Sequence, residues 1–181
     1  MSGTSHSQWP DLSQLILRPT TDALHLWSQI VGKVRLMLTP WINHSWRATF
    51  YLSGRGFTTG PIYAAQRPFE AEFDLLGGVL RIDTADGQTK HVKLGVQSVA
   101  TFYEATIAAL TELGLEVDIH RMPCEIPEAI VFTEDHALRN YDPEAARAYW
   151  LAMLQVQRVF LLFRSRFVGK CSPHPSILGK L

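Results

Sequence analysis

The sequence predicts an α+β fold, with three main helices packed on one face of a mostly antiparallel sheet of about four to five strands. Three observations carry this expectation. Apolar residues recur at spacings of three and four in three separate stretches, the mark of helices with one buried face. Between the first two stretches, apolar and polar residues alternate in short runs broken by Gly77-Gly78 and Asp86-Gly87. The resulting order, α-β-β-β-β-α-β-α, lacks the βαβα alternation of a nucleotide-binding parallel sheet. At 181 residues the chain fits one domain, and 46% hydrophobic residues suffice for a sizeable core.

The elements follow in order. Residues 1–8 are polar and read as a disordered tail. The first helix spans Asp22 to Leu38, because Leu24, Trp27, Val31, Val34 and Leu38 share one face; Thr20 or Thr21 caps it and Pro40 ends it. Gly32 inside it costs about 1 kcal/mol against alanine, which marks a close neighbour. Trp46, Ala48, Phe50 and Leu52 then alternate with Arg47, Thr49, Tyr51 and Ser53 as a strand that Gly54-Arg55-Gly56 breaks. Phe69, Ala71, Phe73 and Leu75 form a second inward row, with Glu70, Glu72 and Asp74 facing out. Leu80 and Ile82 continue the pattern to a hairpin at Asp86-Gly87, and the return strand turns Val92 and Leu94 inward. The second helix runs from Val99 to Leu113, capped by Ser98 and stopped by Gly114. A short strand is expected at Glu116 to His120, followed by an irregular connection from Met122 to Asn140. The third helix, Pro143 to Phe167, opens with Asp142 as cap and proline at its first position. Tyr149, Met153, Val156, Phe160, Phe163 and Phe167 form one apolar row, and Trp150, Leu154 and Leu161 widen it. That helix needs neighbours on more than one side.

Lys+Arg and Asp+Glu number 17 each, so nothing electrostatic points to nucleic acid or to an anionic membrane surface. The two cysteines, Cys124 and Cys171, make no disulfide framework. No signal peptide and no membrane-length apolar run are present in the sequence, which predicts a soluble cytoplasmic protein with free thiols. No cofactor motif is found.

Candidate chemistry concentrates in a few places. In Trp41 to Gly60, His44, Arg47 and Arg55 stand among aromatic residues, and Gly54-Arg55-Gly56 lets backbone N–H groups and a guanidinium approach an anion. The plainer reading is a glycine turn with a solvated arginine, since neither a P-loop nor a dinucleotide spacing is present. Glu70, Glu72 and Asp74 have the spacing of paired carboxylates, but cross-strand ion pairs with Arg81, His91 and Lys93 on a solvated face explain them as well. His120 and Cys124 are too few ligands for a zinc site, and no metal is expected. Glu125, in the irregular connection, suits a general base or a ligand acceptor. Cys124 is a nucleophile only with a base beside it; a quiet thiol is the ordinary outcome. Arg158, Arg164, Arg166 and Lys170 complement the negative end of the third helix, and Arg166 with Lys170 could close an anion pocket.

Several blocks resemble an uncharacterised bacterial family, the domain of unknown function 5996. They are LHLWSQIVGKVRLMLTPWINH (Leu24 to His44), FYLSGRGFTTGPI (Phe50 to Ile62), FEAEFD (Phe69 to Asp74), SVATFY (Ser98 to Tyr103), MPCEIPEAI (Met122 to Ile130), and NYDPEAARAYW through FRSRFVGKCSP (Asn140 to Pro173). The resemblance implies no activity and no catalytic residue. Its members carry asparagine where Cys124 stands, which weighs against the nucleophile. They are longer, continuing after the Gly-Lys-Cys-Ser-Pro stretch with an aromatic segment ending Trp-Gly-Ser-Phe-Asp. Codons TGG GGA AGC TTT GAC for that ending, read from the third base, give Gly-Lys-Leu and a stop, and this chain ends Gly179-Lys180-Leu181. The expectation is therefore a frame-shifted or truncated member. Residues 9–173 would be a single domain, the N-terminal portion of a longer fold, and residues 174–181 a non-native tail.

The functional expectation is a small-molecule-binding or enzymatic module for an anionic ligand, with an incomplete site drawn from His44, Arg47, Arg55, Glu125, Arg166 and Lys170. The alternative is a non-catalytic interaction or structural protein. Loss of cover over the third helix is expected to expose aromatics among Tyr149, Trp150, Phe160, Phe163 and Phe167, a patch prone to self-association.

Overall fold

The structure is a computed structural model that describes residues 9–13, 17–41, 49–64 and 67–169. Helix α1 (Leu17–Leu38) is followed by strands β1 (Tyr51–Leu52), β2 (Gly56–Ile62), β3 (Phe69–Asp74), β4 (Val79–Thr84), β5 (Thr89–Lys93) and β6 (Gln97–Ser98). Then come α2 (Val99–Glu112), β7 (Leu138–Arg139) and α3 (Pro143–Arg164). Strands β1 to β5 form one antiparallel sheet in chain order, and β6 pairs with β7 in a second, two-stranded sheet. The α+β class and the element order agree with the sequence expectation.

Helix α1 starts at Leu17 rather than Asp22, so Thr20 and Thr21 do not cap it. The Thr21 hydroxyl bonds back to the Leu17 and Arg18 carbonyls at 3.2 and 3.0 Å, while Thr20 Oγ1 accepts from the N–H of Asp142 at 3.0 Å. The middle of α1, Trp27 to Val34, is buried all round, polar Ser28, Gln29 and Lys33 included. Trp27 stacks on Phe102 of α2 (centroids 5.0 Å apart) and leans on Tyr141 (5.4 Å). Phe73 of β3 stacks on Phe102 from the sheet side. Leu80, Ile82, Val92, Phe57 and Ile62 belong to the same core.

Strand β2 is absent from the alternation because Gly56, Gly60 and Pro61 interrupt it and its register shifts between Thr58 and Pro61. The irregularity is satisfied locally: the buried Thr59 hydroxyl accepts the Ala71 N–H at 3.1 Å. At Gly56 a Cβ would lie 1.9 Å from the Phe73 carbonyl oxygen, so the close approach of β2 to β3 requires glycine.

Helix α2 is capped as expected, with Ser98 Oγ accepting the Thr101 N–H at 3.0 Å and Gly114 in the left-handed region (φ 72°). The strand expected at Glu116 to His120 does not form. Leu115 and Ile119 are buried without ladder partners among the described residues, and the Asp118 N–H faces Met37 Sδ of α1 at 3.3 Å. The two-residue burial period there reflects packing against a helix, and β7 is the strand between α2 and α3.

Helix α3 opens on its Asp142 cap, whose side chain accepts the Glu144 N–H at 2.9 Å. Its first half packs inward through Ala145, Ala146 and Trp150, and Trp150 Nε1 donates to the Ser53 carbonyl at 3.2 Å. Tyr149 sits against Phe57. From Arg158 onward the helix is mostly exposed. Of the five aromatics expected at the surface, Phe160, Phe163 and Phe167 are exposed, whereas Tyr149 is half-buried and Trp150 buried. Among the described residues no helix is long and apolar enough to cross a membrane.

Candidate functional site

His44, Arg47 and Lys170 lie outside the described residues. Arg55, in the turn between β1 and β2, is held by Asp74: its Nε and Nη2 donate to Oδ2 at 2.8 and 2.7 Å. The other oxygen of Asp74 accepts the Leu76 and Gly77 N–H groups at 3.0 and 2.7 Å. Burial alone would raise the Asp74 pKa, but the hydrogen bond from Arg55 and those two N–H groups outweigh it and hold the carboxyl below its usual range. Arg55 therefore serves an internal carboxylate and is not a bare anion receptor.

The acidic row on β3 is not the solvated face that its spacing suggests. Glu72 and Asp74 are buried, covered by Ser53, Arg55 and Arg81. Arg81 pairs across the strands with Glu72 at 3.5 Å, as cross-strand pairing predicts, and within β4 with Asp83 at 2.6 Å; among the described residues His91 and Lys93 take no part. Arg166 lies exposed just past the end of α3. Glu125 is exposed on the connection after α2 and shares no hydrogen bond or ion pair with Arg55 among the described residues. The sequence-derived residues are thus not brought together at one place by the described contacts.

A different group of residues is brought together. His25, Gln29 and Lys33 step by four along α1, on the side away from the apolar row of Leu24, Trp27, Val31 and Val34. Gln29 is fully buried, and its amide clasps the backbone of Cys124. Nε2 donates to the Cys124 carbonyl at 2.9 Å, and Oε1 accepts the Cys124 N–H at 2.7 Å. The side-chain amide acts as a strand would, pairing both backbone groups of one residue. His25 Nε2 lies 3.3 Å from Gln29 Nε2. One turn on, Lys33 Nζ donates to Cys124 Sγ at 3.2 Å.

Lys33 is 8% exposed, and among the described residues no carboxylate lies within ion-pair distance of it. A buried cation without a counter-charge is costly, and sulfur is a weak acceptor. The loop that carries Cys124 is itself strained: Glu125 and Glu128 adopt φ of 56° and 51°, a region that costs non-glycine residues about 1 kcal/mol or more each. The sequence held one sign of this site, the four-residue step of His25, Gln29 and Lys33. It was masked because all three look like an ordinary solvated helix face.

Elsewhere, burial pushes the Tyr141 phenol up to about 12, with Asp142 adding to it, and burial also raises Tyr149. A groove of about 460 Å³ lies where α1 and α2 end, lined by Leu38, Arg67, Thr111, Gly114, Leu115 and Glu116. Its arginine is engaged, donating to the Leu113 carbonyl that ends α2 and to Asp86. Among the described residues no group of three or more His, Cys, Asp or Glu is placed to hold a metal ion.

No curated protein and no solved structure matches the chain. One family model does, that of a family of unknown function, DUF5996, and it covers residues 9–180. The match takes in the α1 face, the clasped loop and all three helices, so the chain belongs to the DUF5996 family.

Proposed function

We propose that the protein binds a small anionic molecule at the face of α1 that meets the Cys124 loop, with Lys33 as the charge receptor and Glu125 at the exposed rim. One observation carries the reading: the Lys33 ammonium is buried, lacks a carboxylate partner among the described residues, and donates to the Cys124 sulfur at 3.2 Å. An anion there would supply the missing counter-charge. The protein works in a reducing cytosol on this reading, with Cys124 as a free thiol. No bond-making step is assigned.

A thermal-shift panel of carboxylates and phosphates, run on the native chain and on Lys33→Met, tests it. A ligand at a hundred times its Kd stabilises by about 2.7 kcal/mol, which raises Tm by roughly 5–10 °C for a chain of this size. The shift is expected in the native chain and not in the variant. Equal shifts in both, or none in the native chain across the panel, would end the proposal.

A second reading, a non-catalytic interaction protein, is favoured by the run Val159, Phe160, Leu161, Leu162 and Phe163, five consecutive exposed apolar residues. Surface of that kind favours association. Sedimentation velocity should show a weight-average mass that climbs with concentration, and Phe163→Ser should flatten the climb. A concentration-independent monomer rejects self-association.

A further inference from the structure

We infer that Lys33 and Cys124 are a redox modification site, able to join through a covalent bond between Nζ and Sγ. The two atoms stand 3.2 Å apart, within the about 3–3.5 Å range from which reacting atoms go forward without large motion. Both partners are held in place. The Gln29 amide fixes Cys124 at its N–H and its carbonyl, and the Lys33 side chain is enclosed along α1. Cys124 is only partly buried as a residue, and the Lys33 nitrogen has no competing carboxylate among the described residues.

The oxidant is hydrogen peroxide. It transfers one oxygen to the thiol; the sulfur becomes a sulfenic acid and the peroxide is reduced to water. The Lys33 ammonium releases a proton to solvent, and the free amine attacks the sulfur. The N–S bond forms as the S–O bond breaks, and the departing hydroxide takes a second amine proton to leave as water. Thiol, amine and peroxide thus become a sulfenamide and two waters. A thiol reductant restores both side chains.

The link would staple the connection after α2 to α1, across 91 residues of sequence. It would also remove the buried positive charge at Lys33. It stands whether or not an anion binds there.

The experiment uses the folded chain carrying Cys171→Ser, so that Cys124 is the sole thiol. Hydrogen peroxide is added in small excess and quenched with catalase, and the chain is mapped by mass spectrometry without reductant. The expected product is about 2 Da lighter than the starting chain. It yields one peptide joining Lys33 to Cys124, which dithiothreitol releases. The same treatment of Lys33→Arg in that background should give dimedone-trapped sulfenic acid and no joined peptide. Three results would overturn the inference: a product about 16 or 32 Da heavier with no joined peptide, a link from Cys124 to a different amine, or equal linking in the urea-unfolded chain.

Discussion

Replacing Gln29 by methionine keeps the length of the side chain and deletes the clasp on Cys124. Two hydrogen bonds are lost, at 2.9 and 2.7 Å, each worth about 1 kcal/mol net. The orphaned N–H and carbonyl of Cys124 are only partly buried, so water recovers part of the loss and the full penalty for a dry polar group does not apply. The expected cost is about 2 kcal/mol, a fall in Tm of roughly 4–8 °C for a chain of this length. The loop should respond more than the fold, because Glu125 and Glu128 hold unfavourable backbone angles that the clasp helps to impose. Amide exchange should therefore speed up in residues 122–131 beyond what the global change explains, with β3 and β4 following global stability alone. Gln29→Asn should behave like the methionine variant, since its amide falls one methylene short. A Tm within about 1 °C of the native value, or unchanged exchange in the loop, would show that the clasp does not hold Cys124.

Three further outcomes are expected. Asp74→Asn should cost about 2 kcal/mol at neutral pH through loss of its charge-assisted bonds with Arg55. The Asp74 pKa is lowered on folding, so its contribution is complete above the unfolded value of about 3.9 and disappears as pH falls through the lower folded value. Urea titrations should show the native chain losing its advantage over the variant in that acid window, and a constant gap down to the lowest pH contradicts the assignment. Gly56→Ala should destabilise by about 3 kcal/mol, because its Cβ would overlap the Phe73 carbonyl and force β2 from β3; an urea midpoint close to native would mean that the strands separate at little cost. Ser98→Ala should cost about 1 kcal/mol by removing the acceptor for the Thr101 N–H, and a thermal midpoint equal to the native one would show that water replaces it.

Helices α2 and α3 were readable because each carries its own punctuation, whereas α1 runs back to Leu17 past the threonines that looked like its cap. Ser98 and Gly114 bound α2, and Asp142-Pro143 opens α3, through contacts within a few residues. Strands β3 to β5 were readable because one face meets helices and the other is polar. Strand β2 was not, since its conformation depends on what Phe73 and Ala71 offer across the sheet rather than on alternation of its own. The segment Glu116 to His120 shows the reverse: real alternation, produced by α1 instead of a ladder. The candidate site was the least legible part. Lysine and glutamine on a helix ordinarily face water, and the Cys124 loop, 91 to 95 residues later, meets them here. Of the residues named from sequence, Arg55 reads as a solvated turn arginine or an anion contact and Asp74 as a solvated carboxylate, whereas the two pair and Asp74 is buried.

The distance along the chain between α1 and its clasps has a consequence for synthesis. Gln29 waits for Cys124, and Thr20 for Asp142, 122 residues downstream. At ribosomal rates of about 5–20 residues per second, some 5–20 seconds separate the emergence of Gln29 from that of Cys124. During that interval the sheet and α2 offer α1 a surface for its apolar row, while Gln29 and Lys33 remain in water. Closing the long loop costs entropy that its contacts must recover at the end. A nascent chain paused before residue 124 would hold α1, the sheet and α2 without the clasp on Cys124, and without the share of the core that Phe132, Tyr141, Ala146 and Trp150 supply.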